Sequence, residues 1–104
     1  MILETITVTP VFTSVAALIA TAREISNLPE AQQKCTAIKL RCSADEDTEI
    51  TIKEASTQTP VTILDAANGI YEIEIKTYNL TDIYLSCGVA KTAAVGVIIE
   101  QDRI

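Results

Sequence analysis

The chain has 104 residues, with 8 basic and 14 acidic side chains and a formal net charge of −6. This length predicts a single domain over residues 1–104. The absence of a long apolar run predicts no membrane span, and the negative charge argues against a nucleic-acid partner. Because the chain lacks histidine, the commonest general base and metal ligand is missing. We therefore expect no enzymatic activity, no cofactor and no metal, and a structural or binding role.

The N-terminal quarter predicts one strand and one helix. Alternation of Ile and Val with Thr predicts a strand over residues 2–9, and Glu4 interrupts its apolar face, so we expect this strand to lie at an edge or to be partly exposed. Apolar spacings of three and four predict a helix over residues 13–25, with Thr13 or Ser14 as its N-cap. The apolar face of this helix comprises Val15, Leu18, Ile19, Ala22 and Ile25.

The rest of the chain alternates with the period of a strand. Strands are predicted over residues 35–42 and 48–54, and the polar loop between them indicates an antiparallel hairpin. A turn at 56–60 and an Asn-Gly turn at 65–69 flank a short strand at 61–64. Further strands are predicted over 70–78, with Tyr71, Ile73 and Ile75 inward, over 81–87, with Ile83, Leu85 and Cys87 inward, and over 94–100.

About seven short strands and one short N-terminal helix are typical of an all-β protein. We predict an antiparallel β-sandwich of jelly-roll or immunoglobulin-like type. Its last strand is apolar on both faces, so it is either covered on both sides or in contact with a partner.

The three cysteines are predicted to be small buried hydrophobic side chains. Cys42 and Cys87 share the inward parity, so a disulfide between them is the alternative interpretation. An odd number of cysteines and an acidic N-terminus, where a signal peptide carries positive charge, indicate a reducing compartment instead.

Two acidic groups could carry chemistry. The loop at 45–49 places carboxylates at alternate positions, as calcium loops do, but it lacks their glycine, which favours a solvated loop. Glu72 and Glu74 are spaced as a glycosidase pair could be, although a solvated sheet face is the simpler interpretation. The basic side chains expected to offset their charge are Lys39, Arg41 and Lys53.

The sequence carries more apolar side chains than its predicted core accommodates. Val11, Phe12, Tyr84 and Ile98 are the candidate interface residues, and we place Tyr84 and Ile98 on adjacent strands with outward parity. Leu3 and Ile104 also lack an obvious place in the core. Because monomers rarely expose large contiguous apolar patches, another chain is expected to cover part of this surface.

The order of these segments resembles small virion proteins of tailed bacteriophages. The resemblance runs from about residue 14 to residue 100. It lies in a short Ala/Leu helix followed by Leu28-Pro29, the strand CTAIKLRC at 35–42, the pattern Asn-Leu-x-x-Ile-Tyr at 79–84 and the strand AVGVIIE at 94–100.

The resemblance implies a β-sandwich that decorates or cements the capsid, or that sits at the neck or tail. It implies no active site, partners that are the major capsid protein or copies of the chain itself, and assembly in the host cytoplasm. The alternative is a stand-alone immunoglobulin-like module that binds glycans or a host surface through exposed tyrosines.

Overall fold

A computed structural model describes residues 2–54 and 62–101. The turn expected at 56–60, the expected start of a strand at Val61, and Ile104 lie outside the described residues. Within them, strands predominate over helices. In chain order the elements are β1 (Ile2–Val8), β2 (Thr13–Ser14), α1 (Val15–Ala22), α2 (Glu30–Gln33), β3 (Ala37–Cys42), β4 (Ile50–Glu54), β5 (Thr62–Leu64), β6 (Glu72–Ile75), β7 (Ile83–Ser86) and β8 (Ala93–Glu100).

The strands form two antiparallel sheets of four strands each. The first sheet has the order β1-β8-β3-β6 and the second the order β2-β7-β4-β5. The pairing is nested, because β1 pairs with β8, β2 with β7, β3 with β6, and β4 with β5. Two further pairs, β3 with β8 and β4 with β7, complete each sheet.

The predicted hairpin between residues 35–42 and 48–54 is wrong. β3 lies in the first sheet and β4 in the second, so the acidic loop between them carries the chain from one sheet to the other. Alternation identifies which face of a strand is apolar, but it does not identify the neighbouring strand.

One cluster of buried side chains draws on both sheets and on helix α1. β8 shows the alternation that produces it: Ala93, Val95, Val97 and Ile99 are buried, whereas the residues between them are exposed or half-buried. Ile83 and Leu85 of β7 point into the core as predicted, and Cys87 is half-buried. Tyr71, predicted inward, is 44% exposed because it precedes β6 at the edge of the first sheet.

Helix α1 is shorter than predicted at both ends. Thr13 and Ser14 pair with β7 as a strand, and Ser14 is also the N-cap, because its hydroxyl accepts a hydrogen bond of 3.2 Å from the Ala17 N–H. The helix ends at Ala22 because Glu24 adopts a left-handed conformation, with φ of 58°. Ile25, predicted on the buried helix face, is therefore outside the helix and exposed.

The edge position predicted for the first strand is confirmed: β1 has β8 as its only partner strand among the described residues. Glu4 has the inward parity of this strand and forms an ion pair with Arg23, directly after α1. The Arg23 guanidinium also donates a hydrogen bond of 2.6 Å to Gln32 in α2. These contacts tie both helices to β1. No helix among the described residues is long and apolar enough to cross a lipid bilayer.

Candidate interaction surfaces

The outer face of the first sheet carries a ladder of opposite charges. Arg41 lies opposite Glu72 in the β3–β6 register, with 2.9 Å between the guanidinium and carboxylate atoms. Lys39 lies opposite Glu74 at 4.0 Å. The prediction that basic side chains on a neighbouring strand offset the two glutamates is confirmed for Lys39 and Arg41, whereas Lys53 belongs to the other sheet. The two carboxylates thus lie on a solvated, charge-balanced sheet face.

An apolar row borders this ladder. Leu3 of β1, which is 74% exposed, lies opposite Ile98 of β8, and Ile98 lies opposite Lys39 on its other side. The next positions along the same face are Thr5, Gly96 and Arg41. The outward residues of β8 are exposed or half-buried, so this face of the strand can contact solvent or another protein.

The outer face of the second sheet gathers aromatic and basic side chains. The Lys53 ammonium lies 3.8 Å from the centroid of the Phe12 ring, a cation–π contact, and Lys53 is opposite Tyr84 in the β4–β7 register. Ser14 lies opposite Tyr84 on its other side. Val11, next to Phe12 in the chain, is 70% exposed.

The four predicted interface residues therefore do not form one patch. Val11, Phe12 and Tyr84 belong to the second sheet and its approach, and Ile98 belongs to the outer face of the first sheet. The prediction that Tyr84 and Ile98 lie on adjacent strands is wrong, because β7 and β8 lie in different sheets. Tyr84 and Ile98 are both half-buried, whereas Val11 is exposed.

The free edge of β6 was not anticipated from the sequence. β6 pairs with β3, and among the described residues no strand pairs with its other side. Apolar side chains are exposed at both ends of this edge: Ile70 and Tyr71 precede β6, and Tyr78, which is 82% exposed, follows it. Strand order decides which strand is at an edge, and strand order is not readable from alternation.

The loops around residues 47–49 and 87–91 line an open surface depression of about 420 Å³. The Thr48 hydroxyl accepts a hydrogen bond of 2.8 Å from the Gly88 N–H, and the Lys91 ammonium lies 3.2 Å from the Asp47 carboxylate. Within the described residues, no set of three cysteine or carboxylate side chains is arranged to hold a metal ion. The contacts of Thr48 and Asp47 join the acidic loop to the turn at 88–91.

All three cysteines are free thiols. Burial raises the pKa of Cys35, Cys42 and Cys87 above the ordinary thiol value, and nearby carboxylates, Asp82 for Cys35 and Glu46 for the other two, raise it further. Raised pKa values keep these thiols protonated and weakly nucleophilic at neutral pH.

Compared with protein-family models and with curated proteins, the chain matches none of them.

Proposed function

We propose that the protein is a non-enzymatic structural subunit of a bacteriophage virion, a capsid decoration or minor capsid protein. It stabilises the particle through contacts with the major capsid protein or with copies of itself. A neck or tail position is the variant of this proposal that places fewer copies in each particle. Assembly takes place in the host cytoplasm, where the free thiols stay reduced.

The nested strand pairing is the observation that carries the proposal. Pairing of the first strand with the eighth, the second with the seventh, the third with the sixth and the fourth with the fifth is the connectivity expected when a long hairpin rolls into a jelly-roll β-sandwich. Jelly rolls are used by viral capsid domains and by lectins. The step from fold to function is an analogy, which the sequence resemblance to phage virion proteins strengthens.

The distribution of exposed apolar side chains supports a subunit with several neighbours. Leu3 lies on the outer face of the first sheet, Val11 in the approach to the second, Tyr78 beyond the β6 edge and Val89 in the turn before β8. A ligand-binding protein concentrates apolar surface in one pocket. Contacts with several neighbours require it on different sides of the molecule, as here.

The Leu3–Ile98 row provides the mutational test. Ile98→Asp should leave the fold intact, because the side chain points out of the sheet and Lys39 lies opposite the new carboxylate. Thr92→Asp is the matched control, since it adds the same charge in the exposed turn before β8. We expect Ile98→Asp to abolish incorporation into particles and Thr92→Asp to be incorporated normally. Normal incorporation of a folded Ile98→Asp protein would count against this face as the contact.

A glycan-binding module is the second candidate, and the outer face of the second sheet favours it. Phe12 and Tyr84 supply aromatic surface, and Lys53 and Ser14 supply hydrogen-bond donors next to it. Sugars stack on aromatic faces and take hydrogen bonds from such donors. If this candidate is correct, a glycan array would give binding that Tyr84→Ala removes and Ile98→Asp does not.

A further inference from the structure

The β3–β6 register determines which main-chain groups of β6 point away from β3. The Cys42 N–H donates a hydrogen bond of 3.0 Å to the Tyr71 carbonyl, and the β3–β6 register continues from there. Paired and unpaired positions alternate in an antiparallel ladder, so Ile73 and Ile75 direct their main-chain groups toward β3. Glu72 and Glu74 therefore direct their N–H and carbonyl groups outward. By the same alternation, Lys76 presents its groups at this edge.

The other edge of the first sheet is protected, whereas no strand or helix of the described residues covers the β6 edge. β1 carries an inward-pointing charge, Glu4, and its ion pair with Arg23 ties it to α1. Inward charges and covering helices are the usual devices that prevent edge strands from pairing. β6 has no inward charge: its inward residues are Ile73 and Ile75, which are packed against the core but only half-buried. A strand added here would complete their burial.

The side chains along the β6 edge are complementary to themselves. On the solvent face, Glu72 and Glu74 are followed by Lys76. Two copies of this segment running antiparallel about a twofold axis can bring Lys76 of each copy opposite Glu74 of the other. A second offset brings Lys76 opposite Glu72 but places the two Glu74 carboxylates opposite each other, which disfavours it. Both offsets also bring Tyr78 of one copy beside the exposed apolar start of β6 in the other.

We propose that two copies of this chain pair through β6, antiparallel and about a twofold axis, joining their first sheets into one sheet of eight strands. The occupant of the edge is a second copy because the charge pattern and the apolar ends match each other. An isologous contact of this kind is also the commonest way in which soluble proteins form dimers. The pairing supplies partners for the outward main-chain groups at Glu74 and Lys76.

Sedimentation equilibrium of the purified chain between about 1 µM and 1 mM tests the pairing directly. The wild-type chain should dimerise in this range. Glu74→Pro should stay monomeric throughout, because proline removes the outward N–H while leaving every main-chain hydrogen bond to β3 in place. Glu74→Ala is its control: it removes the same carboxylate but retains the N–H, so it should still dimerise, more weakly than the wild-type chain and far more strongly than Glu74→Pro. A thermal unfolding curve for each variant verifies the fold.

The charge pattern makes a second, independent prediction. Lys76→Glu places like charges opposite one another twice in each dimer, so we expect dimerisation to weaken by roughly tenfold. Lys91→Glu changes the net charge equally but lies in the turn before β8, and it should leave dimerisation unchanged. The Glu74 amide should exchange slowly in the wild-type dimer and rapidly in dilute Lys76→Glu.

Three results would overturn the inference: a wild-type chain that is monomeric up to about 1 mM, a dimer that Glu74→Pro does not disrupt, or a dimer in which the Glu74 amide exchanges rapidly. Pairing through β6 is independent of the virion role. A dimer that never associates with particles would support β6 pairing and contradict the virion role. A particle-bound chain that is monomeric in solution would support the virion role and contradict β6 pairing.

Discussion

Replacement of Glu24 by glycine should stabilise the protein. Helix α1 ends with hydrogen bonds from the Glu24 N–H to the Thr21 carbonyl, at 3.1 Å, and from the Ile25 N–H to the Ala20 carbonyl, at 3.0 Å. This is the Schellman arrangement, and Glu24, with φ of 58°, occupies the position that usually holds glycine. A side chain in this conformation costs about 1 kcal/mol. A glutamate also places negative charge at the negative end of the helix dipole.

Two variants separate the two contributions. Glu24→Gln removes the charge but keeps the strained conformation, so its free energy of unfolding should rise only slightly. Glu24→Gly removes both and should add about 1 kcal/mol, or a melting temperature about 4 °C or more higher. Thermal and urea unfolding of both variants measure the difference. If Glu24→Gly were no more stable than Glu24→Gln, residue 24 would not be strained and the left-handed end of α1 would be wrong.

Three further predictions concern the end loops, the β1 edge and the thiols. Gly88→Ala should lower the free energy of unfolding by about 1–3 kcal/mol, because the new Cβ would lie 2.8 Å from the Thr48 hydroxyl oxygen. Most of this loss should disappear when Gly88→Ala is made in a Thr48→Ala background, with both measured by urea unfolding. Glu4→Gln should lower the free energy of unfolding by about 1–2 kcal/mol by removing the carboxylate that Arg23 contacts; an unchanged value would show that the ion pair contributes nothing. Burial raises the pKa of the Cys35 thiol in the folded state, so the contribution of this thiol to stability is complete below the ordinary thiol pKa and is lost as the pH rises through the folded pKa. Above about pH 8.5, the melting temperature should therefore fall less steeply with pH in Cys35→Ala than in the wild-type chain. Equal slopes of melting temperature against pH in the two proteins would contradict this.

Alternation of apolar and polar residues was sufficient to identify most strands and the facing of their side chains. It placed Ile83 and Leu85 in the core, and it predicted that Lys39 and Arg41 offset Glu72 and Glu74, because all four side chains lie on the polar face of their strands. β2 was missed, since a two-residue strand is too short to show a period.

Strand neighbours could not be predicted, because they depend on contacts between residues far apart in the chain. The loop after β3 reads as a hairpin loop but connects the two sheets, and the same ambiguity placed Tyr84 and Ile98 side by side when they lie on opposite sheets. The end of α1 was also misplaced, because nothing in the identity of Glu24 signals a left-handed residue.

The candidate site was predictable only in part. The exposed apolar character of Leu3 and Val11 was visible as an excess over the expected core, and both are exposed. The β6 edge was not visible, because Glu72, Glu74 and Lys76 read as an ordinary solvated face. Their significance depends on the absence of a described strand beyond β6.

The copy number of the chain in its native source, measured by quantitative mass spectrometry across a sedimentation gradient, tests the proposed structural role most directly. We expect the chain to travel with a large particle in many copies, as a decoration protein does, or in few copies if it belongs to the neck or tail. A chain that remains at the top of the gradient, free of any particle, would contradict the virion role and leave the glycan-binding module in its place.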